Sequence, residues 1–388
     1  MSKKTRYCTK YYNKDIKKKG MIENYLSEEI DFLLTPSANQ LLGVDIDEVY
    51  ISNLEIKEIE STLEQYLKYS ICDKTLFFTG LTGSGKTMIL RHVFKYNGMG
   101  AYIHGDCLVI PFSFDNIHCK NRENVEGYFR NMILTACDVL EESFSLKKAS
   151  DFPQDFYESI KKSRNDNLQM GPAWPRPSID ERLINYEKED HLAFASSLLK
   201  YYLNQSACTI ENVLFLVDDI EGIGDNLEIV PIKVAYEAMI CMENQSKDRL
   251  WSAKCIIACR HYVYRYATYN QLDDFSKTAA LSKQNLEAYS PTDILQLGSY
   301  LPLIDIIEKR YTAIKEKKPE TKWKTALEVV RSLLVDIDAD IGQFIIHLNV
   351  NNLRESFVTL KMLIYNRLWI QRDFQETSDG AFSITSIA

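Results

Sequence analysis

No apolar run in the 388-residue chain reaches the roughly 18 residues that a membrane span requires, and the N-terminus lacks the apolar core of a secretion signal. The nine cysteines include no C-x-x-C pair, and the six histidines include no H-E-x-x-H pattern. Buried, reduced thiols explain this cysteine usage better than disulfides or zinc ligands. We therefore expect a cytoplasmic protein without a membrane segment.

An excess of basic charge is also missing, because 46 Lys and Arg stand against 54 Asp and Glu, for a net charge of -8. The protein as a whole is therefore not expected to coat nucleic acid. Basic residues do concentrate in the first 20 positions, where eight Lys or Arg accompany a single Asp. We interpret this segment as a solvated arm. The alternative is an arm that contacts nucleic-acid phosphates, with its tyrosines stacking on bases.

One stretch has the spacing of a phosphate-binding loop, G-x-x-x-x-G-K-[ST]. The apolar run Thr75–Thr79 is followed by Gly80, four intervening residues, and then Gly85, Lys86 and Thr87. Glycines allow successive backbone N–H groups to converge on phosphate oxygens, and a helix that begins at Lys86 directs its free N–H groups at the same anion. The sequence thus predicts ATP with Lys86 on its β- and γ-phosphates and the Thr87 hydroxyl on Mg²⁺. The alternative is a glycine-rich turn that matches by accident. The residues predicted to bind the nucleotide here are Gly80, Thr82, Gly83, Ser84, Gly85, Lys86, Thr87 and Met88.

Short apolar runs alternate with helical segments, which is typical of a parallel sheet covered on both faces. The four runs are Thr75–Thr79, Cys107–Phe112, Val213–Val217 and Cys255–Cys259. Between the second and third runs we predict helices at Val125–Phe144 and Leu192–Leu203, separated by a surface insertion at about residues 145–190. This order predicts an α/β fold, a three-layer αβα sandwich around a parallel sheet.

Two carboxylates, Asp218 and Asp219, close the third predicted strand. A carboxylate at the carboxyl edge of a parallel sheet, beside a phosphate loop, can hold the Mg²⁺ that bridges the phosphates, and we assign this role to Asp218. Asp219 is expected to point to the other side of the strand and to act as the general base that orients the attacking water. The alternative is a strand that ends in an ordinary polar turn, where Asp is common.

Two arginines are candidates for contacts with the γ-phosphate. Arg260 directly follows the fourth predicted strand, at the edge that faces the ligand crevice of a parallel sheet. The alternative for Arg260 is a side chain that extends from the sheet edge to solvent. Arg354 stands near the start of the last of three amphipathic helical stripes, which together predict a C-terminal helical lid. The predicted organisation is a basic arm at residues 1–40, an ATPase domain at 41–290, a helical lid at 291–376 and a tail at 377–388.

With these elements placed, the chain resembles the additional-strand P-loop ATPases, the AAA+ and STAND groups. The pieces that carry the resemblance are Gly80–Thr87 as Walker A, Val213–Asp219 as Walker B, Arg260 as sensor 1, Arg354 as sensor 2, and Asn351–Phe357, which resembles the G-[DN]-[LI]-R-x-[AS]-L helix start of origin-recognition-like members. Two positions depart from the AAA+ pattern, since Asp219 stands in place of Glu and Arg260 in place of an Asn-like residue. These departures look more like STAND signalling switches, which tend to hydrolyse slowly and use ATP state to control assembly.

The resemblance implies an ATP-dependent switch of low turnover that controls homo-oligomerisation or the engagement of a partner protein. Similar proteins of bacteria and their mobile elements serve in antiviral defence or in DNA handling. One alternative is a DNA-binding initiator or loader ATPase, which requires a basic surface or a winged-helix module. Another is a scaffold that binds a nucleotide without hydrolysing it. An arginine finger from a neighbouring subunit is a further expectation, with Arg249 and Arg265 as candidates.

Overall fold

The computed structural model describes most of the chain. The described residues are 27–34, 46–52, 54–68, 75–80, 83–95, 100–114, 119, 121–164, 178–223, 228–243, 251–260, 262–264, 303–317, 321–334, 341–349, 352–366, 373–376 and 382–385. Several predictions concern other residues: the basic arm at residues 1–20, Thr82, and the candidate fingers Arg249 and Arg265 all lie outside the described ranges.

Helices predominate among the elements. The helices are α1 (Ser27–Leu34), α2 (Ile46–Val49), α3 (Leu54–Lys68), α4 (Lys86–Phe94), α5 (Arg122–Phe144), α6 (Pro153–Arg164), α7 (Ile179–Glu189), α8 (His191–Leu203), α9 (Val230–Glu243), α10 (Leu303–Lys317), α11 (Thr321–Leu334), α12 (Ile341–Leu348) and α13 (Leu353–Asn366). The strands are β1 (Thr75–Thr79), β2 (Tyr102–His104), β3 (Cys107–Ser113), β4 (Asn212–Asp218), β5 (Ser252–Cys259), β6 (Asp373–Glu376) and β7 (Phe382–Thr385). Across the ranges given above, none of these helices combines the length and the apolar character that crossing a membrane requires.

The chain forms two compact units, each assembled from separate stretches of sequence. Residues 59–80 and 89–294 form one unit, which we call the sheet unit. Residues 1–58, 81–88 and 295–388 form the other, which we call the helical unit.

A five-stranded sheet organises the sheet unit, with the strand order β1-β5-β4-β3-β2. The strands β1, β5, β4 and β3 run parallel to one another, and they are buried along almost their whole length. Burial on both faces explains why their sequences are nearly continuous apolar runs. The predicted α/β class and all four predicted strands are therefore confirmed. The sheet is mixed rather than wholly parallel, because β2 pairs antiparallel with β3.

Helices pack on both faces of this sheet. On one face, α5, α8 and α9 pack against one another and against the strands. Phe112 of β3 stacks there on Phe129 of α5, with ring centroids 3.9 Å apart. On the opposite face, the buried Lys254 of β5 donates from Nζ to the backbone oxygen of Tyr66 at 3.0 Å and to that of Leu67, both in the last turn of α3. The side chain of one strand lysine thus satisfies two carbonyls that the end of α3 leaves without a helical partner.

The segment between α5 and α8, predicted as a surface loop, contains two helices. Its prolines led to the wrong prediction, because Pro153 occupies the first position of α6, where a missing N–H has no cost. Helix α7 begins with a capping box, in which the Ser178 hydroxyl accepts from the Glu181 N–H at 3.2 Å and the Glu181 carboxylate accepts from the Ser178 N–H at 2.8 Å. Both helix-start signals, the proline at the first position of α6 and the capping box of α7, are present in the sequence.

The helical unit has its own apolar core, to which α1 contributes. Phe32 of α1 packs edge-on against Trp323 of α11, with ring centroids 5.4 Å apart. The buried Arg310 of α10 donates to the Leu33 carbonyl at the end of α1 at 2.9 Å, and its guanidinium lies 4.9 Å from the centroid of the Phe357 ring of α13. Burial lowers the pKa of Arg310 to about 10, so the side chain remains charged at neutral pH. The helix α1 therefore belongs to a packed core, although the sequence predicted an arm at this position.

The C-terminal part of the helical unit includes a two-stranded antiparallel sheet, β6 and β7. The sequence predicted only helices and an irregular tail here. Each strand has four residues, which is too short for a clear alternation of apolar and polar positions. The prediction of residues 377–388 as a tail is thus wrong where β7 forms.

Burial of the sheet cysteines leads to a first testable prediction. Desolvation, together with the neighbouring Asp106 carboxylate, raises the pKa of the Cys107 thiol to about 12. Only about 1 in 10,000 Cys107 side chains is then a thiolate at pH 8, and the thiolate is the reactive form. We expect iodoacetamide to modify Cys107 about 1,000-fold more slowly in the native protein than in urea, measured by peptide mass spectrometry, with a native rate that rises about tenfold per pH unit. A native rate equal to the rate in urea would contradict the burial of this thiol.

Candidate functional site

The predicted phosphate loop connects a strand to a helix. Strand β1 ends at Thr79, and the N–H of Gly80 donates to the Cys259 carbonyl of β5 at 3.3 Å. Helix α4 begins at Lys86, the lysine of the G-x-x-x-x-G-K-T pattern. Its first turn therefore carries Lys86 and Thr87, whose side chains are both half-buried. This is the strand–loop–helix order that the motif requires.

Two of the three loop glycines adopt conformations that other residues rarely adopt. Gly83 has a φ of +69° and Gly85 a φ of +99°, both in the region that favours glycine. Between them, Ser84 is 5% exposed, and its Oγ has no hydrogen-bond partner among the described residues. A buried hydroxyl without a partner costs free energy unless a ligand or water satisfies it. Around Gly85 an added Cβ would meet no atom of the described residues within 4 Å, which leaves room for such a ligand among them.

Within the helical unit, the loop lies against the start of α13. A Cβ added to Gly83 would overlap the Asn352 side-chain oxygen and would lie 3.1 Å from the Cβ of Arg354. The structure therefore brings together Gly83 and Arg354, two residues that the sequence predicts on the nucleotide. Arg354 is exposed, and one turn into α4 the half-buried Met88 packs against the core of the helical unit.

The acidic pair lies at the carboxyl edge of the sheet unit. Asp218, 2% exposed, is the last residue of β4 and is paired in register with Ser113, the last residue of β3. Asp219 leaves the strand in a left-handed conformation, with a φ of +58°, and its N–H donates to the Asp218 carboxylate at 2.9 Å. The expectation that Asp219 alternates to the other side of the strand is therefore wrong, because β4 ends one residue earlier. Asp is one of the few residues other than glycine that adopt this conformation, because its short polar side chain can form local hydrogen bonds.

Ser113 is a candidate site residue that the sequence did not single out. Its hydroxyl donates to the Asp219 carboxylate at 3.4 Å. The Tyr128 hydroxyl of α5 in turn contacts the backbone of Ser113, donating to its carbonyl and accepting from its N–H, both at 3.3 Å. Desolvation raises the pKa of Tyr128, so its hydroxyl stays protonated and can donate. The signal in the sequence was a serine at the end of a predicted strand, which becomes informative only when β3 is known to neighbour β4.

Arg260 follows β5 at the same edge, and its backbone is held on both sides. The Glu221 carboxylate accepts from the Arg260 N–H, and the Arg260 carbonyl accepts from the N–H groups of Val263 at 3.1 Å and Tyr264 at 3.2 Å. Glu221, which the sequence did not indicate either, thus fixes the point at which the chain turns. The Arg260 side chain is half-buried, and within the described residues its guanidinium forms no ion pair.

The order of the strands fixes the spacing of these edge residues. Strand β5 lies between β1 and β4, so the acidic pair is two strands from the end of β1 rather than on the adjacent strand. No group of three or more His, Cys, Asp or Glu side chains that could hold a metal ion occurs in the described part of the chain. A Mg²⁺ ion bound with a nucleotide needs only one or two protein ligands, because phosphates and water complete its shell. Asp218 of the sheet unit and Thr87 of the helical unit each carry an oxygen of the kind that Mg²⁺ binds.

The chain matches no protein-family model, and searches of curated proteins and of solved structures likewise find no match.

Proposed function

We propose that the protein binds ATP with Mg²⁺ at the Gly80–Thr87 loop and acts as a slowly hydrolysing switch of the AAA+ or STAND type. The observation that carries the proposal is the strand–loop–helix geometry of this segment. Strand β1 ends immediately before the motif, α4 begins at its lysine, and two of the three loop glycines, Gly83 and Gly85, have positive φ. The loop thus lies at the N-terminal, positive end of the dipole of a nine-residue helix, which favours an anion there.

The strand order supports the same class. One strand, β5, separates the strand before the loop from the strand that ends in the acidic pair. An additional strand at this place is the feature for which the additional-strand P-loop ATPases are named. The helices on both faces of the sheet fit the αβα sandwich of that class, and the C-terminal helices α10 to α13 would serve as its lid.

The proposed roles follow from the chemistry of the side chains. Lys86 neutralises charge on the β- and γ-phosphates, while Thr87 and Asp218 supply oxygen ligands to Mg²⁺, which would withdraw charge from the phosphates. Asp219 accepts a proton from the attacking water, and Ser113 orients its carboxylate. Arg260 and Arg354 contact the γ-phosphate and report its presence.

As a switch, the protein would link the γ-phosphate to the position of α13. Arg354 and Asn352 stand at the start of this helix, and both lie against Gly83 of the loop. Loss of the γ-phosphate would remove a charged contact of Arg354 and so change how firmly α13 is held. We propose that this change controls self-association or binding to a partner protein.

The Lys86→Ala variant tests the proposal. Losing one charge-assisted contact to phosphate is expected to cost about 2–3 kcal/mol, which weakens Mg·ATP binding roughly 30- to 150-fold. The measurement is isothermal titration of wild type and variant with Mg·ATP. Lys315→Ala serves as the matched control, because Lys315 is an exposed lysine of α10 and is expected to leave the affinity unchanged. Equal affinities for wild type and Lys86→Ala would refute the assignment of the loop.

A further inference from the structure

We infer that Asn352 is a positioning residue of the phosphate loop. Its carboxamide caps α13 and packs against Gly83, and these two contacts fix the distance between the loop and Arg354. This inference rests on the proposed nucleotide binding and adds to it a residue outside the G-x-x-x-x-G-K-T motif.

The carboxamide of Asn352 has a defined orientation. Its Oδ1 accepts from the Glu355 N–H at 3.2 Å, as expected of an N-cap residue, and this bond fixes which end of the amide is the oxygen. The backbone of Asn352 is held as well, because its N–H donates to the Asn349 carbonyl at 2.9 Å and its own carbonyl accepts from the Ser356 N–H at 2.9 Å. A residue whose side chain and backbone are both held by hydrogen bonds can support a neighbouring loop rigidly.

Gly83 fits this support only because it lacks a side chain. An added Cβ would overlap Asn352 Oδ1 and lie 3.0 Å from Asn352 Cγ, which is closer than ordinary contact. Gly85 provides the comparison, since it also has a positive φ, but a Cβ added there would meet no atom of the described part of the chain within 4 Å. Gly83 is therefore required for both its backbone conformation and its space, whereas Gly85 is required for its conformation alone.

Three polar groups around this contact are available to a ligand. Asn352 Nδ2 and the Arg354 guanidinium make no hydrogen bond or ion pair within the described residues, and the buried Ser84 Oγ also has no partner there. All three groups can donate hydrogen bonds, and two lie on residues in direct proximity to Gly83. Their common chemistry suits an anionic oxygen, such as that of a phosphate.

The Asn352→Asp variant separates positioning from simple capping. Asp caps a helix as well as Asn does, so the thermal midpoint is expected to change by no more than about 2 °C. The added negative charge beside the loop is expected to weaken Mg·ATP binding about tenfold. Met362→Asp is the matched control, because Met362 is 57% exposed on the same helix and lies ten residues, about 15 Å of helix, beyond Asn352. It places the same charge on α13 more than a Debye length from Asn352 and is expected to change the affinity by less than about twofold.

A pair of alanine substitutions, Gly83→Ala and Gly85→Ala, tests the packing of Gly83 against Asn352. Gly83→Ala is expected to weaken Mg·ATP binding about tenfold in the wild-type background. In an Asn352→Gly background the loss of affinity caused by Gly83→Ala is expected to be at least about threefold smaller, because the obstructing side chain is gone while Gly still serves as an N-cap. Gly85→Ala is expected to carry the same penalty in both backgrounds. The thermal midpoints of the same variants provide a second reading that does not depend on nucleotide.

The outcomes distinguish this inference from the proposed function. If wild type fails to bind Mg·ATP, the proposed function fails, and the thermal midpoints alone decide whether Asn352 seats Gly83. If wild type binds Mg·ATP but Asn352→Asp binds equally well, and Gly83→Ala costs the same in both backgrounds, the role of Asn352 is refuted while nucleotide binding stands.

Discussion

Replacing Asp219 by Asn is expected to slow ATP hydrolysis by about 100- to 10,000-fold, the usual contribution of a positioned general base. Asn has nearly the same shape as Asp but cannot accept a proton from water. The affinity for Mg·ATP is expected to stay within about threefold of wild type, because we assign the metal to Asp218 rather than to Asp219. Phosphate release in single-turnover conditions and titration with Mg·ATP measure the two effects separately.

The left-handed conformation of Asp219 dictates the choice of variant. Asn is among the few residues that adopt a positive φ readily, so Asp219→Asn should retain wild-type stability. Asp219→Ala is expected to lose about 1–2 kcal/mol of the free energy of unfolding in addition to hydrolysis, because Ala has no side chain to support this conformation. Hydrolysis by Asp219→Asn at the wild-type rate would exclude Asp219 as the base and would favour Glu221 or a scaffold without turnover.

Replacing Phe112 by Ala is expected to lower the free energy of unfolding by about 3–5 kcal/mol, measured by urea denaturation. Phe112 has no exposed surface and stacks on Phe129 at 3.9 Å and on Phe215 at 5.7 Å between centroids. Removing its ring would leave a cavity between β3, β4 and α5 that the surrounding side chains cannot fill.

Phe152→Ala is the matched control for this loss. Phe152 is 40% exposed and lies outside the stacked cluster, so the same change is expected to cost less than about 1 kcal/mol. Similar losses for the two variants would mean that the aromatic stack between β3 and α5 does not stabilise the core of the sheet unit.

The elements that the sequence predicted well are those with a strong local signal. Strands buried on both faces must be apolar at almost every position, and this requirement located β1 without error and β3 to within one residue. A long amphipathic helix such as α5 also has a clear period. By contrast, β2 has only three residues, and its turn is marked by Gly105 with a φ of +62°, a signal too short to separate from other glycines.

The candidate site was predicted only in part because its residues come from distant stretches of sequence. The spacing of the loop motif is local, whereas the contact of Asn352 with Gly83 depends on how α13 packs within the helical unit. The bond from Ser113 to Asp219 likewise depends on the order of the strands, since β3 and β4 are neighbours in space and about a hundred residues apart along the chain. Neither residue propensity nor periodicity contains this information.

The contact between Phe32 and Trp323 has a consequence for how the protein forms in the cell. These residues are about 290 positions apart, so at a synthesis rate of roughly 5–20 residues per second, α1 emerges from the ribosome some 15–60 seconds before its aromatic partner. During that interval its apolar side chains have no core to enter. The apolar side chains of α1 therefore stay exposed through most of synthesis, which makes the nascent chain prone to association through this helix.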